Sequence, residues 1–207
     1  MYKFIKTKFK IIEKMVGEFK KGGVYAICTR PGIGKTHFCL SVASYFAAKG
    51  QKVFYMSDCI SPDEFYNRQS KIDPDCTENI QFEQIFLCTI DRLNDFVSEQ
   101  DNSLVIIDPI DIYSHKLDID EIKDFAKKKN ITILLSKHLS KPLFWNRLPA
   151  LRDIKFVSKF TTEKFLAYVD VIFFAYRKEP HSPITLTLAK NIYGSIGQKV
   201  EIEEDYK

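Results

Sequence analysis

The residues with the clearest chemical potential form a loop between an apolar run and an amphipathic segment. The pattern predicts a buried strand at Val24–Cys28 and a helix at His37–Ala48. The residues between them are Thr29-Arg30-Pro31-Gly32-Ile33-Gly34-Lys35-Thr36. Gly34 lets the backbone approach an anion closely, and the N-terminus of a helix supplies N–H donors with a favourable dipole. The sequence therefore predicts that residues 30–36 bind phosphate.

Three polar residues extend this prediction to a nucleotide with a metal ion. Lys35 would place a positive charge at the β- and γ-phosphates, and the Thr36 hydroxyl would bind Mg²⁺. Asp108 ends the apolar run Leu104–Ile107, and the carboxyl ends of parallel strands face the crevice in which ligands bind. Asp108 is therefore predicted to support Mg²⁺ opposite Thr36. Its alternative interpretation is a turn residue before Pro109.

Short apolar runs alternate with helical patterns along most of the chain, which is typical of an α/β fold with a mostly parallel central sheet. Near the C-terminus the runs follow one another without helices between them, which predicts an antiparallel extension of the sheet. These last strands are predicted at Val169–Tyr176, Ile184–Ala189 and Lys199–Ile202. Residues 136–162 have no clear period and are expected to be mostly loop.

Composition limits the class of protein. The 207 residues, 45% of them hydrophobic, suit a single folded domain, predicted at residues 21–207 after a basic arm at residues 1–20. No apolar run reaches the roughly 18 residues that a membrane span needs. Five scattered cysteines without a CxxC pair argue against a disulfide framework and predict a cytoplasmic protein. The net charge of +4 permits an anionic partner without requiring one.

Several segments, in order, resemble the C-terminal ATPase domain of the DnaB-type replicative helicases, which belong to the RecA-like P-loop superfamily. The matching segments are TRPGIGKTHF, VFYMSDCISPDEFYNR, LVIIDPIDI, LLSKHLSK, YVDVIFFAYRKE and LAKNIYGSIGQKVEI. The resemblance implies a RecA-like fold, ATP and Mg²⁺ as ligands, and a role in DNA replication as a helicase-like hydrolase. It also implies a homo-oligomer or a helicase as partner. The family's N-terminal domain is expected to be missing.

Two positions depart from the family pattern. The resemblance implies a catalytic Glu at the end of the second strand, where this chain has Cys59. Asp58 could replace it as the base only if the chain has already turned there, and otherwise it is a helix-capping residue. The family's Arg that reaches a neighbouring subunit's γ-phosphate is replaced by Ile192, although Lys190 is kept. Slow hydrolysis is expected.

Two further residues have open roles. His138 falls where related phage helicases have a His that senses the γ-phosphate, and its alternative is a surface loop residue. Arg177 follows the predicted strand Val169–Tyr176. It is compatible with a contact to the base or ribose and equally with a solvated charge.

The segment Lys141–Lys164 combines basic and aromatic residues, as binding of single-stranded DNA requires. Its basic candidates for DNA contact are Arg147, Arg152 and Lys155. The interleaved aromatic residues are Phe144, Trp145, Phe156 and Phe160. The alternative is a packed lid in which the aromatic side chains are core and the charges are solvated.

The sequence thus predicts an ATP-binding ATPase related to DnaB-type helicases. The alternative is a catalytically degenerate, nucleotide-dependent regulatory or DNA-binding module that does not unwind DNA. Cys59 and Ile192 favour the alternative, whereas Lys35 and Asp108 favour the enzyme.

Overall fold

A computed structural model describes residues 12–86, 88–97, 103–113, 116–139, 148–156, 160–179 and 182–202. Within these ranges eight strands form one sheet in the order β3-β2-β4-β5-β1-β6-β7-β8. The strands are β1 (Val24–Thr29), β2 (Val53–Ser57), β3 (Ile80–Gln84), β4 (Leu104–Asp108), β5 (Thr132–His138), β6 (Val171–Tyr176), β7 (Ile184–Asn191) and β8 (Lys199–Ile202). The helices are α1 (Lys35–Ala48), α2 (Pro62–Ile72), α3 (Ile90–Phe96), α4 (Ile110–Tyr113), α5 (Ile119–Lys129) and α6 (Thr162–Tyr168). Short 3₁₀ helices lie at Pro74–Asn79 and Leu151–Asp153.

The first six strands are parallel, and β7 and β8 add to the sheet in antiparallel fashion. This confirms the predicted RecA-like α/β fold with an antiparallel C-terminal extension. The parallel strands all end at one edge, here called the carboxyl edge. Because β7 runs back, its last residue Asn191 lies beside Val171 at the opposite edge.

The two faces of the sheet build two hydrophobic clusters, because neighbouring strand residues point to opposite faces. Tyr25 and Ile27 lie in the cluster that α1 and α2 cover. Val24 and Ala26 lie in the cluster that α3, α5 and α6 cover. The interior β1 is completely buried, so its position fixes the loop that follows it.

Capping residues explain where the helices begin. Ser61 accepts a hydrogen bond from the Glu64 amide at the start of α2 and so caps the helix. Asp118 caps α5. Thr161 caps α6, a helix that the sequence analysis missed because seven residues give too short a periodic pattern.

Strand β5 extends into the segment that the sequence analysis expected to be mostly loop. That segment was placed at residues 136–162, whereas the structure continues β5 through His138. The apolar pattern stops earlier because Ser136 and Lys137 are polar, yet both are buried. The Ser136 side chain contacts Asp108 and the Lys137 side chain contacts Asp111, so polarity there does not mark a loop.

The described N-terminal residues pack on the domain. Residues 12–16 are helical, and Ile12, Met15 and Val16 are buried in the cluster under α1. The Glu13 carboxylate accepts hydrogen bonds from the Tyr45 hydroxyl and, at 2.9 Å, from Lys49 Nζ. The basic residues at positions 3–10 lie outside the described residues. No helix in the described ranges is long and apolar enough to cross a membrane.

Candidate functional site

The loop between β1 and α1 has the geometry of an anion cradle. Gly32 and Gly34 have φ values of 79° and 94°, a region that residues with a Cβ rarely adopt. Gly34 is the N-cap of α1, and no side chain caps the helix. The first amides of α1 are therefore left to bind a ligand at the positive end of the helix dipole.

Lys35 points from this loop towards the sheet. Its side chain is mostly buried, and Nζ lies 2.7 Å from Asp108 Oδ1 and 3.3 Å from Ser136 Oγ. The ammonium group therefore sits at the carboxyl edge between the ends of β4 and β5. It lies beside the helix N-terminus that the loop leaves uncapped.

Asp108 is enclosed by donors. Its Oδ1 accepts from Lys35 and from the Ser136 hydroxyl, and its Oδ2 accepts from the Tyr55 hydroxyl at 2.7 Å. The Ser57 hydroxyl donates to the Asp108 backbone carbonyl at 2.6 Å. Burial alone would raise the pKa of the Asp108 carboxyl, but Lys35 and the hydrogen bonds outweigh it and lower the pKa. The carboxylate is ionised at neutral pH.

These residues fit a nucleotide with Mg²⁺. The hydroxyl of Thr36 and the carboxylate of Asp108 are oxygen ligands, the type that Mg²⁺ prefers. The described residues hold no cluster of three or more metal-binding side chains.

His138 lies at the same edge, paired with Thr29 across β1 and β5. Its backbone N–H donates to Asp111 Oδ2 at 2.8 Å, which fixes the end of the strand. Its Nδ1 is buried and has no hydrogen-bond partner among the described residues. Burial and the positive charge of Lys35 lower the pKa of the imidazole. The ring is therefore neutral at pH 7, with a ring nitrogen left for a ligand.

The end of β2 places Asp58 and Cys59 in a bend. The strand ends at Ser57 and residues 58–60 turn, which is the condition under which Asp58 could face the site. Burial, assisted by a hydrogen bond to Asp58, raises the pKa of the Cys59 thiol to about 11. Cys59 is thus a neutral thiol at physiological pH and cannot act as a base.

The residues that the family resemblance places in its C-terminal motifs lie at opposite edges of the sheet. Arg177 follows β6 at the carboxyl edge, and its guanidinium donates to the Ser182 carbonyl at 3.1 Å. Lys190 lies at the opposite edge, where Nζ donates to the carbonyls of Leu166 and Val169. Ile192 follows it and is 58% exposed. Since the six residues of β6 span five steps of about 3.3 Å, Ile192 lies roughly 16 Å or more from its own chain's phosphate loop.

The two described aromatic residues of the predicted DNA-binding segment, Phe156 and Phe160, pack against the core. Phe160 is fully buried, its ring centroid is 5.1 Å from that of Phe156, and Lys137 Nζ lies over the Phe156 ring. Phe160 therefore cannot stack on a base, and for this residue the structure agrees with the alternative of a packed lid. Both rings pack into the hydrophobic cluster on the face of the sheet that α3, α5 and α6 cover. Arg152 and Lys155 are exposed.

Other members of that segment lie outside the described residues. These are Lys141, Phe144, Trp145, Arg147 and Lys159. Their predicted contacts with DNA stay predictions.

Sequence reasoning missed three residues that contact the site. The hydroxyls of Tyr55 and Ser136 donate hydrogen bonds to the Asp108 carboxylate. The Ser57 hydroxyl donates to the Asp108 backbone carbonyl and accepts from the Cys59 amide at 3.2 Å. A usable signal existed in the polar residues at the ends of two buried strands. Tyr55 and Ser57 share one face of β2, and Ser136 ends the apolar part of β5.

The matching sequence profile is that of the DnaB-like helicase C terminal domain, over residues 5–141. This chain belongs to that family. Two curated relatives, each a "DNA repair protein RadA" from a Helicobacter pylori strain (26695 and J99), are 29% and 28% identical over 67% of this chain. The alignment covers 33% of each relative, so the chain spans about one third of their length.

Solved structures agree with the DnaB-like fold. A DnaB-like replicative helicase, described with its interactions with primase, has a TM-score of 0.71 at 17% identity and covers 88% of this chain and 55% of its own. A second solved structure, described as an ATPase domain, has a TM-score of 0.72 at 15% identity, over 96% of this chain and 97% of that domain. At these identities the likeness supports the fold alone.

Proposed function

We propose that this DnaB-like domain binds ATP with Mg²⁺ at residues 30–36 and hydrolyses it slowly. The observation that carries the proposal is the contact of Lys35 Nζ with Asp108 Oδ1, 2.7 Å apart, beside an uncapped helix N-terminus. The buried Nδ1 of His138 at the same edge, which has no hydrogen-bond partner among the residues that the structure describes, supports it.

Each group has a role in this proposal. The amides at the start of α1 hold the phosphate oxygens, and Lys35 turns from Asp108 to the β- and γ-phosphates. Thr36 and Asp108 hold Mg²⁺, which neutralises charge on the phosphates. His138 contacts the γ-phosphate, and Arg177 lies at the edge where the base or ribose would bind.

Slow turnover is expected because two positions, Cys59 and Ile192, depart from the family pattern. Asp58 is the candidate base, because the Cys59 thiol stays protonated with a pKa of about 11. The family resemblance implies an Arg at position 192 that reaches the γ-phosphate of a neighbouring subunit. Such an Arg can contribute a factor of ~10³ or more in phosphoryl transfer, and the apolar Ile192 cannot replace it.

The second candidate is a nucleotide-dependent regulatory or DNA-binding module that does not unwind DNA. It would act on a helicase partner or within a homo-oligomer, and the same Cys59 and Ile192 favour it. Turnover of ATP measured with and without single-stranded DNA separates the two. Stimulated turnover supports the enzyme, whereas binding of ATP without turnover supports the module.

Lys35→Ala tests nucleotide binding. The variant should lose at least about tenfold in affinity for ATP with Mg²⁺, because it removes the only side-chain cation that this proposal places at the phosphates. Isothermal titration calorimetry gives the dissociation constants. Lys52→Ala removes an exposed Lys far from the loop and should bind like the unmodified protein. Equal affinities in all three proteins, or no binding by the unmodified one, would reject the proposal.

A further inference from the structure

The phenol of Tyr55 contacts the candidate Mg²⁺ ligand from a fixed position. Tyr55 is fully buried in β2, the strand beside β4, and its hydroxyl lies 2.7 Å from Asp108 Oδ2. Its ring packs 5.0 Å from Phe65 and 6.1 Å from Phe82, measured between centroids. These contacts leave the ring little freedom, so the hydroxyl is held in place by the core.

The two oxygens of Asp108 have different partners. Oδ1 accepts from Lys35 and Ser136, whereas Oδ2 accepts from Tyr55. In the proposed function Lys35 turns to the phosphates, so Oδ1 loses its charged partner. Tyr55 belongs to the core rather than to the loop, and its bond to Oδ2 does not depend on the ligand. The carboxylate then keeps one donor on each oxygen, Ser136 on Oδ1 and Tyr55 on Oδ2, of which only Tyr55 is clamped between aromatic rings.

We propose that Tyr55 is a positioning residue for Mg²⁺: its hydroxyl holds Asp108 Oδ2 and so orients the carboxylate that, with Thr36, would hold the metal. This inference rests on the proposed function. Partners that orient a metal-binding side chain typically contribute 10- to 100-fold in metal affinity, because a free carboxylate must lose its rotation on binding.

The test measures the Mg²⁺ dependence of nucleotide binding. Binding of a fluorescent N-methylanthraniloyl derivative of ADP is followed against Mg²⁺ concentration, and again in EDTA. Tyr55→Phe removes only the hydroxyl and should raise the Mg²⁺ concentration for half-maximal effect about tenfold. Affinity in EDTA should not change, because the loop amides and Lys35 are intact. A residue that acts only on the fold would change both.

Tyr25→Phe is the matched control. Tyr25 is equally buried in the sheet, and its hydroxyl accepts from the Lys20 amide at 2.7 Å near the opposite edge. This variant should respond to Mg²⁺ like the unmodified protein. Asp108→Asn alone and with Tyr55→Phe completes a double-mutant cycle. If Tyr55 acts through Asp108, the second change should cause no further loss of Mg²⁺ dependence.

Each outcome decides the inference. A tenfold shift in Tyr55→Phe alone, absent in the Asp108→Asn background, supports it. The same Mg²⁺ response in both Phe variants, a loss that persists with Asp108→Asn, or a Tyr55→Phe protein that does not fold overturns it. If the unmodified protein binds nucleotide with no Mg²⁺ response, or not at all, the proposed function fails as well.

Discussion

Lys35 influences the charge of both Asp108 and His138 at the carboxyl edge. Lys35 keeps Asp108 ionised despite its burial, and the same positive charge helps to keep His138 neutral. At the scale of single residues the site is therefore a cation held between an anion and an unprotonated imidazole. In the proposed function, a phosphate that draws Lys35 away from Asp108 would also meet the imidazole Nδ1, which has no hydrogen-bond partner in the described part of the chain.

His138 should make the stability of the protein depend on pH. Its pKa in the folded state lies below the ordinary 6.5, so between these values the unfolded chain binds a proton that the folded chain does not. The free energy of unfolding should therefore fall as the pH drops below 6.5. The slope from this one group cannot exceed about 1.4 kcal/mol per pH unit.

Urea denaturation between pH 7.5 and 5.5 measures this effect. His138→Asn should lose less stability over the range than the unmodified protein. His37→Asn changes an exposed His on α1 and should follow the unmodified protein. Identical pH profiles for all three proteins would contradict the lowered pKa of His138.

Cys59→Glu with Ile192→Arg should raise ATP turnover at least about tenfold, because it restores a carboxylate base and a cation for a neighbouring site. Steady-state phosphate release measures it, and Cys88→Ala, a buried Cys elsewhere, is the control. Asp58→Asn should abolish the residual turnover of the unmodified protein. Fast turnover that Asp58→Asn leaves unchanged would mean that the base lies elsewhere.

At the scale of elements, the strand ends divide the family's motifs between two edges. β1, β4 and β5 bring the phosphate loop, Asp108 and His138 together, whereas the turn after β7 carries Ile192 to the opposite edge. Lys190 donates to carbonyls at the C-terminal end of α6, where a cation is favourable. Within one chain, this lysine therefore stabilises a helix end and is remote from the site.

The segment around 148–156 should give DNA binding its salt dependence if the DNA-binding proposal is correct. Each phosphate that a Lys or Arg neutralises releases counterions, so affinity falls with salt. Replacing Arg147, Arg152 and Lys155 with Ala should reduce the slope of log affinity against log salt by up to about 2 for single-stranded DNA. Fluorescence anisotropy of labelled oligonucleotide, with an ATP analogue present, measures the slope.

A charge-matched variant controls for the loss of net charge. Lys127, Lys128 and Lys129 lie in the last turn of α5, whose C-terminal end leads into the start of β5 and so lies away from the carboxyl edge. Replacing all three with Ala should leave the slope nearly unchanged. Equal slopes in both triple variants, or no binding at low salt, would reject DNA binding through Arg147, Arg152 and Lys155. The fluorescence of Trp145, the only Trp, gives a second signal.

At the scale of the whole molecule, Asp170 joins three elements on the edge opposite the site. Its carboxylate accepts from Lys123 of α5 and, at 2.7 Å, from the Val24 amide at the start of β1. Lys123 also donates to the Gly22 carbonyl at 2.9 Å. Because the ion pair is nearly buried, loss of one partner leaves a desolvated charge.

Asp170→Ala should lower the free energy of unfolding by about 3–5 kcal/mol, as expected for a buried pair that loses one ion. Chemical denaturation measures the change. Glu64→Ala breaks the exposed pair with Arg68 on α2 and should cost about 0.5 kcal/mol or less. Adding Lys123→Met to Asp170→Ala should recover part of the loss. Equal costs for the two single variants would show that the pair is solvated.

The sequence by itself determined the local part of the site. A Gly-Lys-Thr sequence directly between an apolar strand and a helix fixes Lys35 and Thr36 at a helix N-terminus, since all three elements are contiguous. Asp108 follows from its place at the end of an apolar strand in an α/β pattern. Periodicity also predicted the long helix α1 and the antiparallel C-terminal strands, but not the short helices α4 and α6 or the polar end of β5.

Only the tertiary structure decided which residues share Asp108. Tyr55 lies 53 residues from Asp108, and Ser136 lies 101 residues from Lys35. Their contacts depend on the order in which β2, β4 and β5 stand in the sheet. Local periodicity indicates an element and its buried face, but hydrogen bonding between distant strands sets their order. The same packing buried Phe160 and placed Ile192 at the opposite edge.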